Sequence, residues 1–129
     1  MHTLFVYGTL LTGLGNWRSF LDPQEGTPNT LAGYTMYSLG GFPAIVATGN
    51  PEDVIRGEVF EINDDQLQRI DLLEGYSGEG EWNHYDRIEV KLGNGVTAFT
   101  YVYANPERLQ TRPTVPHGDW RQATNPRLE

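Results

Sequence analysis

Glycine and proline punctuate this chain so densely that long uninterrupted helices are disfavoured over most of its length. The 129 residues include 15 glycines and 8 prolines, and short segments rich in β-branched and aromatic residues lie between them. Six such segments are predicted as strands, at residues 3–7, 31–39, 44–48, 54–62, 85–92 and 96–104. Short strands bounded by turn residues are typical of a mainly β domain.

One segment has the features of a complete helix. Asn63 can act as its N-cap, Asp64 and Asp65 complement the positive end of the helix dipole, and Gly75 ends the run. A shorter helix is predicted near residues 16–21. The sequence therefore predicts one principal helix among the strands.

Mixed strands with one principal helix predict an α+β fold, a small mixed β-barrel of about six strands. The last two strands are joined by the glycine-containing loop 93–95, which predicts an antiparallel hairpin. A chain of 129 residues is long enough to bury one hydrophobic core. We therefore expect a single domain over residues 1–129, in which the proline-containing residues 105–129 form an extended or loop-like C-terminal extension, packed on the barrel or trailing from it.

Charge and composition exclude several classes of function. The formal net charge of −8 would repel a phosphate backbone, so nucleic acid is not an expected partner. The chain has no cysteine, which excludes thiol nucleophiles and thiolate metal sites. Its histidines, His2, His84 and His117, lie far apart, so no metal site is predicted. No apolar run approaches the roughly 18 residues of a membrane span, and signal-peptide features are lacking, which predicts a cytoplasmic protein with no membrane partner.

Glu74 is the first candidate for chemistry. On a helical wheel it lies in line with Leu67 and Ile70, so its carboxyl group is predicted to point toward the core. Burial and the negative end of the helix dipole would both raise its pKa, as a general base near neutral pH requires. The alternative is a solvated glutamate, or one paired with an arginine such as Arg87.

A second candidate is the sequence Tyr7-Gly8-Thr9-Leu10, directly after the first predicted strand. A glycine with positive φ would turn the chain there and leave successive backbone N–H groups free to bind an anion or an oxyanion. The alternative is an ordinary strand-ending turn with Tyr7 in the core. The glycines that follow do not complete a dinucleotide-binding fingerprint, so no nucleotide cofactor is indicated.

Two further segments contain candidate binding residues. FPAIV, at residues 42–46, includes Pro43, and YDR, at residues 85–87, includes Tyr85 and Arg87. The alternative is structural, with the proline and tyrosine in the core and the arginine in solvent.

Taken in chain order, these segments resemble the gamma-glutamylcyclotransferase-like family, of the gamma-glutamylamine cyclotransferase and butirosin-deprotecting type. The resemblance spans nearly the whole chain. Its segments are YGTL, GY at 33–34, FPAIV, GEVFEI at 57–62, IDLLEGY at 70–76, YDR, VYA at 102–104 and GDW at 118–120. Thr9 stands where many members have serine, a mild departure.

The resemblance implies a small barrel and a transferase- or lyase-type reaction on a small γ-glutamyl amine or peptide. The substrate's own α-amine attacks its γ-carbonyl, which gives 5-oxoproline and a free amine, with Glu74 as the general acid/base. No metal or organic cofactor is implied. The substrate-binding residues that the resemblance implies are Tyr7, Gly8, Thr9, Leu10, Pro43, Tyr85 and Arg87.

Two other functions are compatible with the same residues. A non-catalytic binding module could use the barrel and the amide-rich turn to hold an acidic small molecule. A hydrolase would use Glu74 to activate water, and its product would be glutamate. An inward carboxylate beside an anion site favours the cyclotransferase, because a module that only binds an anion gains nothing from it.

Overall fold

The computed structural model describes residues 1–123 and has a mixed α+β architecture. The strands are β1 (His2–Val6), β2 (Thr27–Ala32), β3 (Tyr34–Ser38), β4 (Pro43–Ala47), β5 (Val54–Ile62), β6 (Tyr85–Lys91) and β7 (Thr97–Tyr103). The helices are α1 (Gly15–Phe20), α2 (Asp64–Glu74) and α3 (Trp120–Ala123), and short 3₁₀ turns lie at Pro106–Leu109 and Pro116–Gly118. No helix among these residues is long and apolar enough to cross a membrane.

The strands form two sheets with mixed strand directions. The larger sheet has five strands in the order β2-β5-β1-β7-β6, and β3 pairs with β4 in a separate two-stranded sheet. The central strand β1 is antiparallel to β5 and parallel to β7. Within residues 1–123, β2 and β6 remain the edges of the larger sheet. The α+β class is thus confirmed, but the closed barrel that the sequence predicts is not.

The single strand predicted over residues 31–39 is wrong, because the chain divides it into β2 and β3. Gly33 lies between them with φ +91°, a left-handed conformation that turns the chain out of the larger sheet. Its N–H donates to the Asp53 carbonyl at 2.7 Å. Beyond this turn, β3 pairs with β4, with Met36 opposite Ile45.

Helix α2 begins and ends where the sequence predicts. The Asn63 side chain accepts from the Gln66 N–H at 2.8 Å, and the Gln66 side chain accepts from the Asn63 N–H at 3.0 Å. Gly75 follows the helix with φ +70°, and Ile70 is fully buried in the core. These local signals fix the position of the last helical turn, which ends in Glu74.

The predicted hairpin of β6 and β7 is also confirmed. The two strands are antiparallel, with Tyr85 opposite Tyr103 at the open end and Lys91 opposite Thr97 near the loop. This pairing places the start of β6 beside the end of β7. Both strand ends lie near the C-terminus of α2, because the His84 N–H donates to the Gly75 carbonyl at 2.9 Å.

The segment after residue 104, for which the sequence predicts an extended or loop-like conformation, includes short helical turns up to Ala123. Leu109, Val115 and Trp120 are buried in the core. These apolar side chains hold the segment on the rest of the molecule, the packed one of the two arrangements that the sequence left open. The remainder of the predicted extension, residues 124–129, lies outside the described residues.

Candidate active site

A cavity of about 270 Å³ lies where β1, β4, the end of α2 and the start of β6 meet. Seven of the eight site residues predicted from the sequence line it. They are Tyr7, Gly8, Thr9, Leu10, Pro43, Glu74 and Tyr85. Arg87 does not line the cavity. The fold therefore brings together segments that are far apart in the chain.

Glu74 is the acid of this cavity. Its side chain is partly buried, and no hydrogen bond or ion pair to its carboxyl group is present within residues 1–123. Burial without a compensating partner raises the pKa of Glu74 to about 7. The predicted alternative of an ion pair with Arg87 does not hold, since Arg87 pairs with Asp71 instead.

The turn after β1 differs from its prediction in one respect. Gly8 is not among the glycines with positive φ. A Cβ at this position would lie 2.7 Å from Cγ of Pro43, so glycine is needed for the close approach of the proline ring. The glycine is thus explained by packing between β1 and β4 rather than by a left-handed turn.

The same turn presents backbone donors at the cavity. Within residues 1–123, the N–H groups of residues 8–10 donate to no backbone or side-chain acceptor, while the Leu11 N–H donates to the Gly8 carbonyl at 3.0 Å. Asn16 supports the turn from behind: its Nδ2 donates to Oγ1 of Thr9 at 2.7 Å. A supported turn with free N–H groups can bind a carboxylate or a developing oxyanion.

Tyr7 and Tyr85 form the walls of the cavity. The Tyr7 hydroxyl donates to the Tyr101 carbonyl at 2.6 Å, and the Tyr85 hydroxyl donates to the Pro43 carbonyl at 2.7 Å. Burial, followed by the charge of Glu74 and of neighbouring tyrosines, raises the pKa of both phenols. Both therefore stay neutral, and a ligand would meet their rings rather than their hydroxyl groups.

Arg87 belongs to a polar cluster at the end of helix α2. Its Nη1 donates to Oδ2 of Asp71 at 2.6 Å, and the guanidinium packs on the rings of Tyr76 and Phe99, 5.1 and 4.6 Å from their centroids. Arg87 follows Tyr85 on the same face of β6, but the acid within its reach is Asp71. A direct role in binding at the cavity has no support in this geometry.

Eight lining residues were not predicted as site residues from the sequence. They are Phe5, Val6, Asn16, Phe42, Leu73, Gly75, His84 and Tyr101. The position of Leu73 next to Glu74 could have predicted it as a lining residue. Tyr101 reaches the cavity through the pairing of β1 with β7, and no local sequence pattern predicts that pairing. The His84 ring stacks on Tyr85 with centroids 5.0 Å apart, and its Nε2 is buried with no partner among residues 1–123.

The other acids near these elements are already bound. Oδ1 of Asp71 accepts from the Tyr101 hydroxyl at 2.6 Å, and Oε1 of Glu58 accepts from the N–H and hydroxyl of Thr12, both at 2.8 Å. Within residues 1–123, no group of three or more histidine, aspartate or glutamate side chains is placed to hold a metal ion. Glu74 is thus distinguished by a carboxyl group that remains available to a ligand.

Comparison with protein families gives a match over almost the whole chain. The family described as "Gamma-glutamyl cyclotransferase, AIG2-like" matches residues 4–122. A relative from Niallia circulans, named gamma-L-glutamyl-butirosin B gamma-glutamyl cyclotransferase, is 34% identical over 127 residues, which cover 95% of this chain and 77% of that protein. The gamma-glutamylcyclotransferase family protein YtfP of Escherichia coli K12 is 32% identical over 117 residues, which cover 91% and 94%.

Solved structures show the same fold. The crystal structure of an AIG2-like protein from Mus musculus superposes with a TM-score of 0.71, covering 92% of this chain and 93% of that one at 23% identity. At this identity the likeness concerns the fold alone. Together with the sequence matches, it confirms the resemblance that the ordered segments indicated.

Proposed function

The chain belongs to the gamma-glutamyl cyclotransferase, AIG2-like family, and is an enzyme of this type. From that premise we propose that it cyclises a small γ-glutamyl amine or peptide to 5-oxoproline, with Glu74 as general acid/base. One observation carries the role of Glu74. Among residues 1–123 its carboxyl group has no hydrogen-bond or ion-pair partner, and it lines a cavity that also contains the free N–H groups of residues 8–10.

The proton transfers fit a single carboxyl group. The Glu74 carboxylate takes a proton from the substrate's α-ammonium, and the freed amine attacks the γ-carbonyl carbon to form the ring C–N bond. The protonated Glu74 then gives this proton to the departing nitrogen as the original C–N bond breaks. The ring nitrogen loses its second proton to Glu74, which passes it to the released amine, so the products are neutral-ring 5-oxoproline and an ammonium, and Glu74 is again a carboxylate. A pKa of about 7 suits both steps, because neither protonation state is strongly disfavoured near neutral pH.

The turn after β1 supplies the complementary groups. Its free N–H groups, at residues 8–10, would bind the substrate's α-carboxylate or stabilise charge that develops on the γ-carbonyl oxygen. Donors of this kind act strongly where water is excluded and where they need no reorganisation. Thr9 in place of serine does not alter this role, since backbone amides provide the donors.

The cavity walls would favour ring closure over hydrolysis. Tyr7, Pro43 and Tyr85 enclose a space of about 270 Å³, which suits a small molecule rather than a polymer. Nucleophile and electrophile belong to one substrate molecule, so the walls need only hold the glutamyl chain in a folded, ring-closing conformer. Exclusion of water from that space suppresses the competing release of glutamate.

Incubation with a panel of γ-glutamyl amines and dipeptides, followed by mass spectrometry, tests this proposal. We expect release of 5-oxoproline and a free amine from at least one member of the panel. Glutamate in place of 5-oxoproline would instead identify a hydrolase. Binding of panel members without any turnover would support the non-catalytic binding module.

A further inference from the structure

Asp71, Arg87 and Tyr101 form a hydrogen-bonded group, here termed the Asp71 cluster, which joins α2 to β6 and β7. The two carboxylate oxygens of Asp71 have different partners: Oδ2 accepts from Nη1 of Arg87 and Oδ1 accepts from the Tyr101 hydroxyl, each at 2.6 Å. The Asp71 and Arg87 side chains are only 17% and 21% exposed. The cluster thus ties one turn of the helix to two neighbouring strands by largely buried bonds.

The guanidinium of Arg87 is fixed by more than its charge. The rings of Tyr76 and Phe99 contact it at 5.1 and 4.6 Å from their centroids. A planar guanidinium can stack on such rings and hydrogen-bond at the same time, which an ammonium group cannot do. Phe99 lies on β7 and Tyr76 follows the helix, so Arg87 connects the sheet to the end of α2.

The cluster reaches the cavity by two routes. Asp71 lies three residues before Glu74, a spacing that makes the two side chains neighbours on the helix surface, and its carbonyl accepts from the Tyr76 N–H at 2.9 Å beyond the helix end. Tyr101 lines the cavity, and its carbonyl accepts from the Tyr7 hydroxyl. Displacement of Asp71 would therefore move both Glu74 and a cavity wall.

We propose that Asp71 and Arg87 are positioning residues, which hold the last turn of α2 and so aim the Glu74 carboxyl group into the cavity. This inference rests on the proposed function of Glu74. The two residues carry opposite charges, so their fields at Glu74 largely cancel while both are present. Removal of either one changes the position of Glu74 and exposes it to the field of the other.

The tyrosines that face Glu74 from the other elements do not supply such a field. Tyr7 after β1, Tyr85 on β6 and Tyr101 on β7 remain neutral, because burial raises the pKa of each phenol. His84, before β6, lines the same cavity. Asp71 and Arg87 carry opposite charges, so opposite shifts of the Glu74 titration midpoint in their two single variants are a distinctive signature.

Titration of the Glu74 carboxyl carbon by NMR, without substrate, tests this signature independently of turnover. In Arg87→Met the uncompensated Asp71 carboxylate repels the Glu74 carboxylate, and we expect the titration midpoint to rise by roughly one pH unit. In Asp71→Asn the uncompensated Arg87 attracts it, and we expect the midpoint to fall by a similar amount. The double variant should titrate close to the parent protein.

Kinetics with a confirmed substrate provide the second arm. We expect kcat to fall roughly ten- to hundredfold in Arg87→Met, as for a misplaced catalytic group, with a smaller change in KM. Arg87→Lys keeps the charge but loses the stacking, so it should lower kcat and leave the Glu74 midpoint near that of the parent. Arg69→Met is the matched control: Arg69 lies on α2 too, but it packs on Phe20.

Shifts of the same sign in the two single variants, or no shift in either, would overturn the inference, provided that circular dichroism shows folded protein. Parent-like kcat in Arg87→Met would overturn it as well. If no substrate is ever turned over, the NMR arm still decides whether the Asp71 cluster controls Glu74. The failure of the proposed function is thus distinguishable from the failure of this inference.

Discussion

The last turn of α2 contains two acids with opposite surroundings. Asp71 has a partner for each of its carboxylate oxygens, Arg87 and Tyr101. Glu74 faces a cavity with no partner among residues 1–123, and burial raises its pKa to about 7. The comparison shows that one short segment can hold one acid by hydrogen bonds and leave another, among residues 1–123, without a protein partner at a cavity.

The largest expected effect comes from Glu74→Gln, which keeps the size of the side chain but removes its ability to take a proton. We expect the rate of 5-oxoproline release to fall by roughly 10² to 10⁴-fold, the range typical of general acid–base groups, with folding and ligand binding nearly intact. The assay on a confirmed substrate measures this loss. Glu89→Gln, the same change at an exposed position of β6, is the matched control.

A rate for Glu74→Gln within about tenfold of the parent, short of the general acid–base range, would contradict the assigned role. Asp71 and Glu58 would then be the acids to test. Their present hydrogen bonds to Tyr101 and Thr12 argue against them. The comparison between a bound and an unbound acid would in that case have no bearing on catalysis.

Substitution of Asp71 should lower the free energy of unfolding more than substitution of Glu74, the reverse of their expected effects on the reaction rate. Asp71→Leu leaves Arg87 and Tyr101 without their acceptor in a largely buried place, and we expect the free energy of unfolding to fall by about 2 kcal/mol. Glu74→Leu removes an acid that has no partner in the part of the chain that the structure describes, so the free energy of unfolding should stay within about 0.5 kcal/mol of the parent or rise. Urea unfolding of both variants measures the contrast. Equal destabilisation would show that the two acids do not differ as described.

Substitution of Gly8 tests the wall opposite the helix. A Cβ in Gly8→Ala would lie 2.7 Å from Cγ of Pro43, and overpacking of this kind should lower the free energy of unfolding by about 1 to 2 kcal/mol. The displaced turn should also raise KM. Gly15→Ala is the control, because Gly15 has no atom within 4 Å of the added Cβ and no positive φ. Similar losses in both variants would argue against a packing role for Gly8.

The sequence predicted best what short-range interactions determine. Helix α2 follows from the cap at Asn63 and the stop at Gly75, and the inward direction of Glu74 follows from its place in that helix. The positive φ predicted for Gly8 was wrong. The glycine is needed for the contact with Pro43, which depends on how β1 and β4 approach each other. The role of Arg87 at the cavity lacks support for the same reason, since the pairing with Asp71 arises from packing of α2 on β6.

The sheet organisation also depended on long-range pairing. Strand segments were located correctly in most places, but the division at Gly33 required a left-handed φ that residue type permits without requiring. That turn sends β3 to pair with β4, so the strands form two sheets with edges instead of the closed barrel that was predicted. Periodicity identifies a strand but does not identify its neighbours.

The smallest expected effect is on the pH dependence of stability. Burial raises the pKa of Glu74 from its ordinary 4.5 to about 7, so between these values the folded protein holds a proton that the unfolded chain releases. The unfolded state binds fewer protons there, and the free energy of unfolding therefore falls as pH rises through this window. Glu74 is only partly buried, so we expect a total change of about 1 kcal/mol.

Glu74→Gln cannot titrate and should lack this component. Its stability relative to the parent should therefore rise as pH increases from about 4.5 to about 7 and stay constant above that window. Urea unfolding of the two proteins across this range measures the difference, with Glu89→Gln again as the exposed control. A difference that stays constant through the window would mean that Glu74 titrates alike in the folded and unfolded chain. The unpartnered carboxyl group would then be solvated as freely as an exposed one, and the electrostatic contrast with Asp71 would disappear although the hydrogen-bond contrast remained.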